Sequence, residues 1–194
     1  MSRNRLLLDA CVAINLAATD RLQHIAQAID VTFTLARQAA AEVSYLRDLA
    51  DGNLIRTPID LGQYAGDTLL IIDLTPAEFT VYLSLAREVD DGEAATIAVA
   101  AQRGLKLATD DRKARKLCSR LSLPEPLHTL ALLRTYADAA ALQHAPLRDL
   151  LIRVRDRASF QPPRSDPTTN GGRTASTTLN PGCTTEPAAS AARP

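Results

Sequence analysis

The amino-acid sequence predicts an α/β protein, a three-layer α/β/α sandwich around a central, mostly parallel sheet. Three observations predict it. Short apolar runs without alternation, RLLLD at 5–9, LLIIDL at 69–74 and LKLAT at 105–109, read as strands buried on both faces. Longer segments of helical period separate them, and strands alternating with helices favour a sheet covered on both sides. In chain order, 5–9 is the first strand, and 11–18 and 21–29 are helices, the second capped by Asp20. VTFTL at 31–35 alternates like a strand; 36–49 reads as one helix stopped by Gly52, and 53–68 as irregular. The strand at 69–74 precedes Thr75-Pro76-Ala77-Glu78, a capping box with Pro at the first helical position, which opens a helix to about residue 88. An Ala-rich helix at 92–103, the strand at 105–109 and a helix at 111–121 follow, and helices at 130–142 and 146–158 complete the domain.

Composition narrows the class. The chain has 194 residues, 46% hydrophobic and 23% charged, with zero formal net charge, so no global basic field recruits nucleic acid. No apolar run approaches the roughly 20 residues that span a bilayer, and the start of the chain has no secretory character. Cys11, Cys118 and Cys183 are scattered and lack metal-ligand spacing, which fits a reduced cytoplasm and no membrane. The zero balance hides an asymmetry. Residues 1–111 carry 9 Lys+Arg against 16 Asp+Glu, and residues 112–157 carry 10 against 4. An acidic half joined to a basic half suits an enzyme that holds a metal with carboxylates and a polyanion with arginines; solvated helix faces are the plainer reading. Residues 158–194 differ again: Pro, Gly, Ser and Thr make up 20 of 37. The expected organisation is a domain at 1–158 and a disordered tail at 159–194, with Phe160 docking back on the domain.

Ligands of open α/β sheets bind beyond the carboxyl ends of the strands. Asp9 closes the first strand, and Asp110 and Asp111 follow LKLAT, so all three fall on that rim. Glu42 lies mid-helix among alanines, and Glu93 lies in the first turn of GEAATIAVAA. For either glutamate alone the solvent stripe is the commoner explanation. Gathered acids repel unless a cation neutralises them, and oxygen ligands select hard ions such as Mg²⁺ or Mn²⁺. His24, His128 and His144 share no motif with the acids and read as structural or exposed. The sequence has no GxxxxGK[ST] loop, GxGxxG or nucleophile elbow.

LLLDACVAINLAATDRL, AAEVSYL and DDGEAATIAVAAQRGLKLATDDRKARKL together resemble the PIN-domain nucleases, the fold of VapC-type toxins, across about residues 4–142. The resemblance implies a metal-dependent endoribonuclease with Asp9, Glu42, Glu93 and Asp111 as catalytic metal ligands for Mg²⁺ or Mn²⁺. It further implies a small antitoxin protein as partner and a homodimer; apolar residues of the first helices (Val12, Ile14, Leu16, Leu22, Ile25) that one small domain leaves uncovered would form the dimer face. Family members usually carry Ser or Thr two residues after the first Asp, where this chain has Cys11, a poorer hydrogen-bonder supporting Asp9. Thr109-Asp110-Asp111 matches the family's Thr-x-Asp with Asp111 as ligand, leaving Asp110 to cap the next helix or support the ligands from behind. Arg112, Lys113, Arg115 and Lys116 follow on that helix and are expected to reach the RNA backbone. A catalytically inert scaffold that binds RNA or protein is the alternative, which a missing carboxylate would favour; all four are present. A phosphatase would need Asp-x-Asp at Asp9-Ala10-Cys11, and a receiver domain paired acids there and a Lys after the last strand.

The tail reading is open to test. A chain truncated after Gln161 is expected to melt within a few degrees of the full chain in calorimetry. A large drop would show that the tail packs on the domain.

Overall fold

Six strands form, β1 (Asn4–Leu8), β2 (Val31–Ala36), β3 (Tyr45–Ala50), β4 (Asn53–Pro58), β5 (Leu69–Ile72) and β6 (Lys106–Ala108). Eight helices accompany them: α1 (Ala10–Ala18), α2 (Leu22–Ala28), α3 (Arg37–Glu42), α4 (Pro76–Leu85), α5 (Asp91–Arg103), α6 (Arg112–Arg120), α7 (Thr129–Ala139) and α8 (His144–Ala158). These are the elements of a computed structural model that describes residues 3–66 and 68–160; the expected disordered tail lies outside the described residues from 161 onward.

Four strands make one parallel sheet of order β5-β2-β1-β6, with β1 and β2 in the middle. Period-two alternation divides their side chains between two cores. Leu6 and Leu8 of β1, with Phe33 and Leu35 of β2, pack with α1, α2, α7 and α8. Leu7 of β1 and Leu107 of β6 pack on the opposite side with α4, α5 and α6. The sheet therefore separates two apolar layers, which is the three-layer α/β/α arrangement that non-alternating strands predict. Phe33, Leu7, Leu8 and Leu35 are all fully enclosed, each contributing about 1.5–3 kcal/mol of burial. Phe160 packs against the first core, as its isolation in a polar segment suggests.

Local rules explain most element ends. Thr75 and Glu78 form the expected capping box at α4, each side chain accepting from the other's backbone N–H. α5 stops at Gly104, whose φ of +63° is the left-handed C-terminal conformation that glycine adopts at least cost. His128 is structural: its Nδ1 accepts from the Ala131 N–H at the start of α7.

Three readings need correction. The stretch 36–49 is not one helix: α3 ends at Glu42, and the chain then becomes β3, pairing antiparallel with β4 across a two-residue turn. Asp51 and Gly52 both have positive φ, +52° and +78°, the mirror-image turn that Asp-Gly favours between strands. Gly52 is thus a hairpin residue rather than a helix stop, and the first six residues of the supposedly irregular 53–68 are strand. Asp20 does not cap α2, whose N-cap is Arg21; its carboxylate pairs instead with Arg153 and Arg157 of α8. Finally, Val12, Leu16, Leu22 and Ile25 are 0% exposed, and Ile14 is partly buried against the same core, so the domain itself covers the apolar residues expected to be left uncovered.

Arg103, at the end of α5, donates to both oxygens of Glu78 in α4, from Nε at 2.5 Å and from Nη2 at 2.9 Å. Glu78 is 2% exposed, and the guanidinium holds its carboxyl far below the usual range, near 2. A depressed carboxyl contributes stability above its unfolded value of 4.5, lost as pH falls toward 2. Arg103→Met is therefore expected to cost about 3–5 kcal/mol at neutral pH, because it strands a buried charge. Urea denaturation at pH 7 and at pH 3 checks this: the deficit should shrink at the lower pH, and a constant deficit would point to packing instead.

Candidate active site

β1 and β6 are neighbours, paired Leu8 to Ala108, and the Asp9 N–H continues the ladder by donating to the Ala108 carbonyl at 3.0 Å. That pairing brings the two rim segments, Asp9 and 109–111, side by side. Asp9 is 3% exposed and doubles as N-cap of α1. Its Oδ1 accepts from the Ala10 N–H at 2.7 Å, and its Oδ2 accepts from the Thr109 hydroxyl and the Cys11 thiol, each at 3.0 Å. Burial and the adjacent Asp9 charge push the Cys11 thiol far above the ordinary range, so it remains a protonated donor. Cys11 thus does the work expected of a hydroxyl at that place.

Thr109 links two acids. Its hydroxyl donates to Asp9 and accepts from the Asp111 N–H at 3.1 Å. Asp111 is the N-cap of α6: its Oδ1 accepts from the N–H groups of Lys113 and Ala114, at 2.6 and 2.9 Å. Its neighbour takes another direction. Asp110 accepts from Thr129 N at 2.9 Å, Thr129 Oγ1 at 2.5 Å and Asn15 Nδ2 at 3.0 Å. It joins α1 to the start of α7 and does not cap α6, so of its two expected roles only support from behind fits its contacts. Asn15 is buried and also donates to Thr129 Oγ1. Asn15 and Thr129 escaped the sequence reading, although an amide inside CVAINLAA was a visible signal, since buried polar groups need partners.

Glu42 sits at the last position of α3, not mid-helix, and its Oε1 accepts from the Gly92 N–H in the first turn of α5 at 2.7 Å. A β-carbon at Gly92 would meet that carboxylate at 2.6–2.8 Å, so glycine is what lets the acid reach the backbone. Gly92 was the other residue missed, and its place in DGEA was the signal. Glu42 is raised chiefly by desolvation, with the charges of Asp9, Asp90 and Asp91 adding and the Gly92 hydrogen bond opposing. Glu93, one residue along, is pushed up to about 7, by desolvation first and then by the charges of Asp111, Asp9 and Asp90. Strands β1 and β6 and helices α3 and α5 therefore bring both Glu42 and Glu93 within the field of Asp9, and Glu93 within that of Asp111.

Among the described residues, no three of the acidic, histidine or cysteine side chains converge as a ligand cluster. The chemistry of the donors nonetheless fits a hard divalent cation: every group is a carboxylate, and Glu93 is pushed up to about 7 by desolvation first and then by the charges of Asp111, Asp9 and Asp90. Of the basic residues, Arg112, Lys113 and Lys116 are exposed on α6. Arg115 turns into the protein, donating to the Pro126 carbonyl at 2.7 Å and to Glu125 at 3.0 Å. A groove of about 450 Å³ between α6 and residues 122–126 is lined by Arg115, Lys116 and Glu125 and by none of the four acids.

The acids gather at the carboxyl rim of a parallel α/β sheet, where sheets of this class bind their ligands. Residues 5–158 match the family model described as PIN domain, and the chain belongs to the PIN-domain family, whose members are generally nucleases and typically use divalent metals. No curated protein matches the chain. No helix among the described residues is long and apolar enough to cross a membrane.

The raised Glu93 carboxyl has a definite sign. Its protonated form is favoured in the fold, so its contribution is complete below the unfolded value of 4.5 and is lost as pH rises through about 7. In EDTA, Glu93→Gln is expected to raise stability at pH 8 by about 1 kcal/mol, discounted for partial exposure, and to leave it unchanged near pH 4. Mn²⁺ should stabilise the parent at pH 8 and not the variant. Equal melting curves at both pH values would show that the fold does not raise the Glu93 carboxyl.

Proposed function

We propose that the protein is a Mg²⁺- or Mn²⁺-dependent endoribonuclease whose metal ligands are Asp9, Glu42, Glu93 and Asp111. The observation that carries this reading is the gathering of Asp9, Glu93 and Asp111 from separate elements at one rim, where desolvation first and then the charges of Asp111 and Asp9 push Glu93 up to about 7. Structural economy does not explain such crowding; a site that holds a cation does. A bound divalent ion would supply a nucleophilic water at neutral pH and offset charge developing on the scissile phosphate.

The chain's own residues do the rest. Asp9, fixed by three donors, has little rotational freedom, so its remaining lone pairs face a defined direction. Asp111 spends Oδ1 on the α6 cap, which leaves Oδ2 for a ligand. Glu93, pushed up to about 7 by desolvation and by its acidic neighbours, would give up its proton to a bound cation and join the ligands as a carboxylate. Arg112, Lys113 and Lys116 on the helix that Asp111 opens offer cationic groups to the RNA phosphates. Arg115 holds the loop after α6 instead.

Purified protein incubated with RNA is expected to cleave it in Mg²⁺ or Mn²⁺ and not in EDTA. Asp9→Asn and Asp111→Asn should abolish cleavage and weaken Mn²⁺ binding in calorimetry; Asp111→Asn should cost little stability, because Asn also caps well and a repelling charge is gone. Asp110→Asn should lower activity by ~10–100-fold while Mn²⁺ still binds. Cleavage by Asp9→Asn, or in EDTA, would reject the metal mechanism, and a reversed order of the two aspartates would exchange their roles.

A further inference from the structure

The β3–β4 hairpin has two unlike faces. One packs on the domain: Leu46 is 6% exposed, and Asp48 is held by Arg157 of α8 and by Thr57. The pairing register places Tyr45 opposite Pro58, Arg47 opposite Arg56 and Leu49 opposite Leu54, and period two puts these six on the other face. Leu49 and Leu54 are 76% and 67% exposed there. The Arg56 guanidinium lies 4.5 Å from the centre of the Tyr45 ring. No carboxylate shares this face, and among the described residues neither Arg47 nor Arg56 makes an ion pair.

Two arginines directly opposite each other repel, and a hairpin gains nothing in stability from that pairing. An anion lying across both relieves it. An arginine stacked on a tyrosine also presents a flat cationic surface of the kind on which unpaired bases stack. The position relative to the rim matters as well. Arg47 is five residues beyond Glu42, so their α-carbons are no more than about 18 Å apart. The other basic element, α6, starts directly after Asp111. Basic residues thus follow two of the acids, on separate elements, within a few nucleotides' reach.

We infer that the Tyr45, Arg47, Leu49, Leu54, Arg56, Pro58 face of the hairpin is a second binding surface for single-stranded RNA, holding the strand on the Glu42 side of the carboxylates through phosphate contacts to the arginine pair and base stacking on Tyr45, Arg56 and the leucines. For the identity of its ligand this inference rests on the nuclease reading. The surface gives the enzyme a preference for unpaired RNA that extends past the cleaved bond, because stacking needs bases free of a duplex.

Fluorescence anisotropy tests it, using full-length protein carrying Asp9→Asn and a labelled single-stranded RNA of about 15 nucleotides over a range of salt. Arg47→Gln combined with Arg56→Gln is expected to weaken binding by ~10-fold or more and to lower the slope of log affinity against log salt by about 1.4, or 0.7 for each lost phosphate contact. The double lysine variant should recover most of that slope, and Tyr45→Ala should weaken binding at every salt concentration. Affinity and slope unchanged in the double Gln variant would overturn the inference. So would a dimer in sedimentation that Leu49→Asp with Leu54→Asp dissociates while RNA affinity ignores the arginines, since the face would then join two copies. The two readings fail separately: wild-type protein that leaves RNA uncut in Mg²⁺ or Mn²⁺, yet binds it through these arginines, removes the nuclease reading alone. Cleavage with arginine-independent binding removes the hairpin surface alone.

Discussion

Repulsion among carboxylates at one rim is the constraint to which the rest of this structure answers. Asp9, Glu42, Glu93 and Asp111 belong to four different segments, and each is anchored by hydrogen bonds that favour its charge. Asp9 takes three donors, Asp111 two backbone N–H groups and Glu42 the Gly92 N–H. These donors offset part of the cost of bringing like charges together, since hydrogen bonds to an ionised acceptor are the strong ones. Glu93 has the least compensation and the largest elevation, to about 7. Desolvation is the larger cause of that elevation and the charges of Asp111, Asp9 and Asp90 add to it, so the cost of the crowding falls mainly on one residue rather than being shared equally.

The fold was legible where one physical rule dominated. Apolar runs too short for helices and lacking alternation located β1, β5 and β6, and the Thr75–Glu78 capping box located α4, because burial on both faces and end-capping leave direct marks in sequence. The hairpin was not legible, for a related reason. The helix formers Leu, Arg and Ala hold four of the six positions 45–50, and the Asp51-Gly52 dipeptide is the main signal against them. Helix propensity is a weak preference, and a two-residue turn that supplies two positive φ angles outweighs it. Tertiary packing completes the decision, with Leu46 buried and Asp48 tied to Arg157.

At the candidate site, residue types were more legible than relations. Asp9 and 109–111 could be placed on the rim because parallel strands carry ligand groups at their carboxyl ends. Their neighbours could not be assigned from spacing. The buried link from Asn15 to Asp110 spans 95 residues, and the contact of Glu42 with Gly92 spans 50. Neither has a local signature beyond an out-of-place Asn or Gly. The two adjacent aspartates illustrate the limit: chain position makes both eligible to cap α6, and the choice depends on what lies behind each. Thr129 and Asn15 offer Asp110 a set of donors away from α6, so Asp111 is left as the cap.

That division of labour has a mechanical consequence. A residue that both caps a helix and offers an oxygen to a ligand ties the ligand's position to the helix. For Asp111, in the ligand role proposed for it, the helix is α6, which also carries Arg112, Lys113 and Lys116. α6 is itself fixed at two places, by Arg115 against the Pro126 carbonyl and by the Ala114, Leu117 and Cys118 side chains in the second core. Asp110 fixes the same turn from the other side through α1 and α7. The short segment 109–111 is therefore held by β6 before it, α6 after it and the Asn15–Thr129 pair behind it. Acids that repel one another would otherwise spread apart by rotating about their side-chain bonds, and a rim built this way denies them that relaxation. Preorganised charge of this kind is worth more to a site that binds a cation than to the stability of the domain, and it explains why polar, conformationally restricted residues are spent at a place where the fold alone would be served by apolar ones.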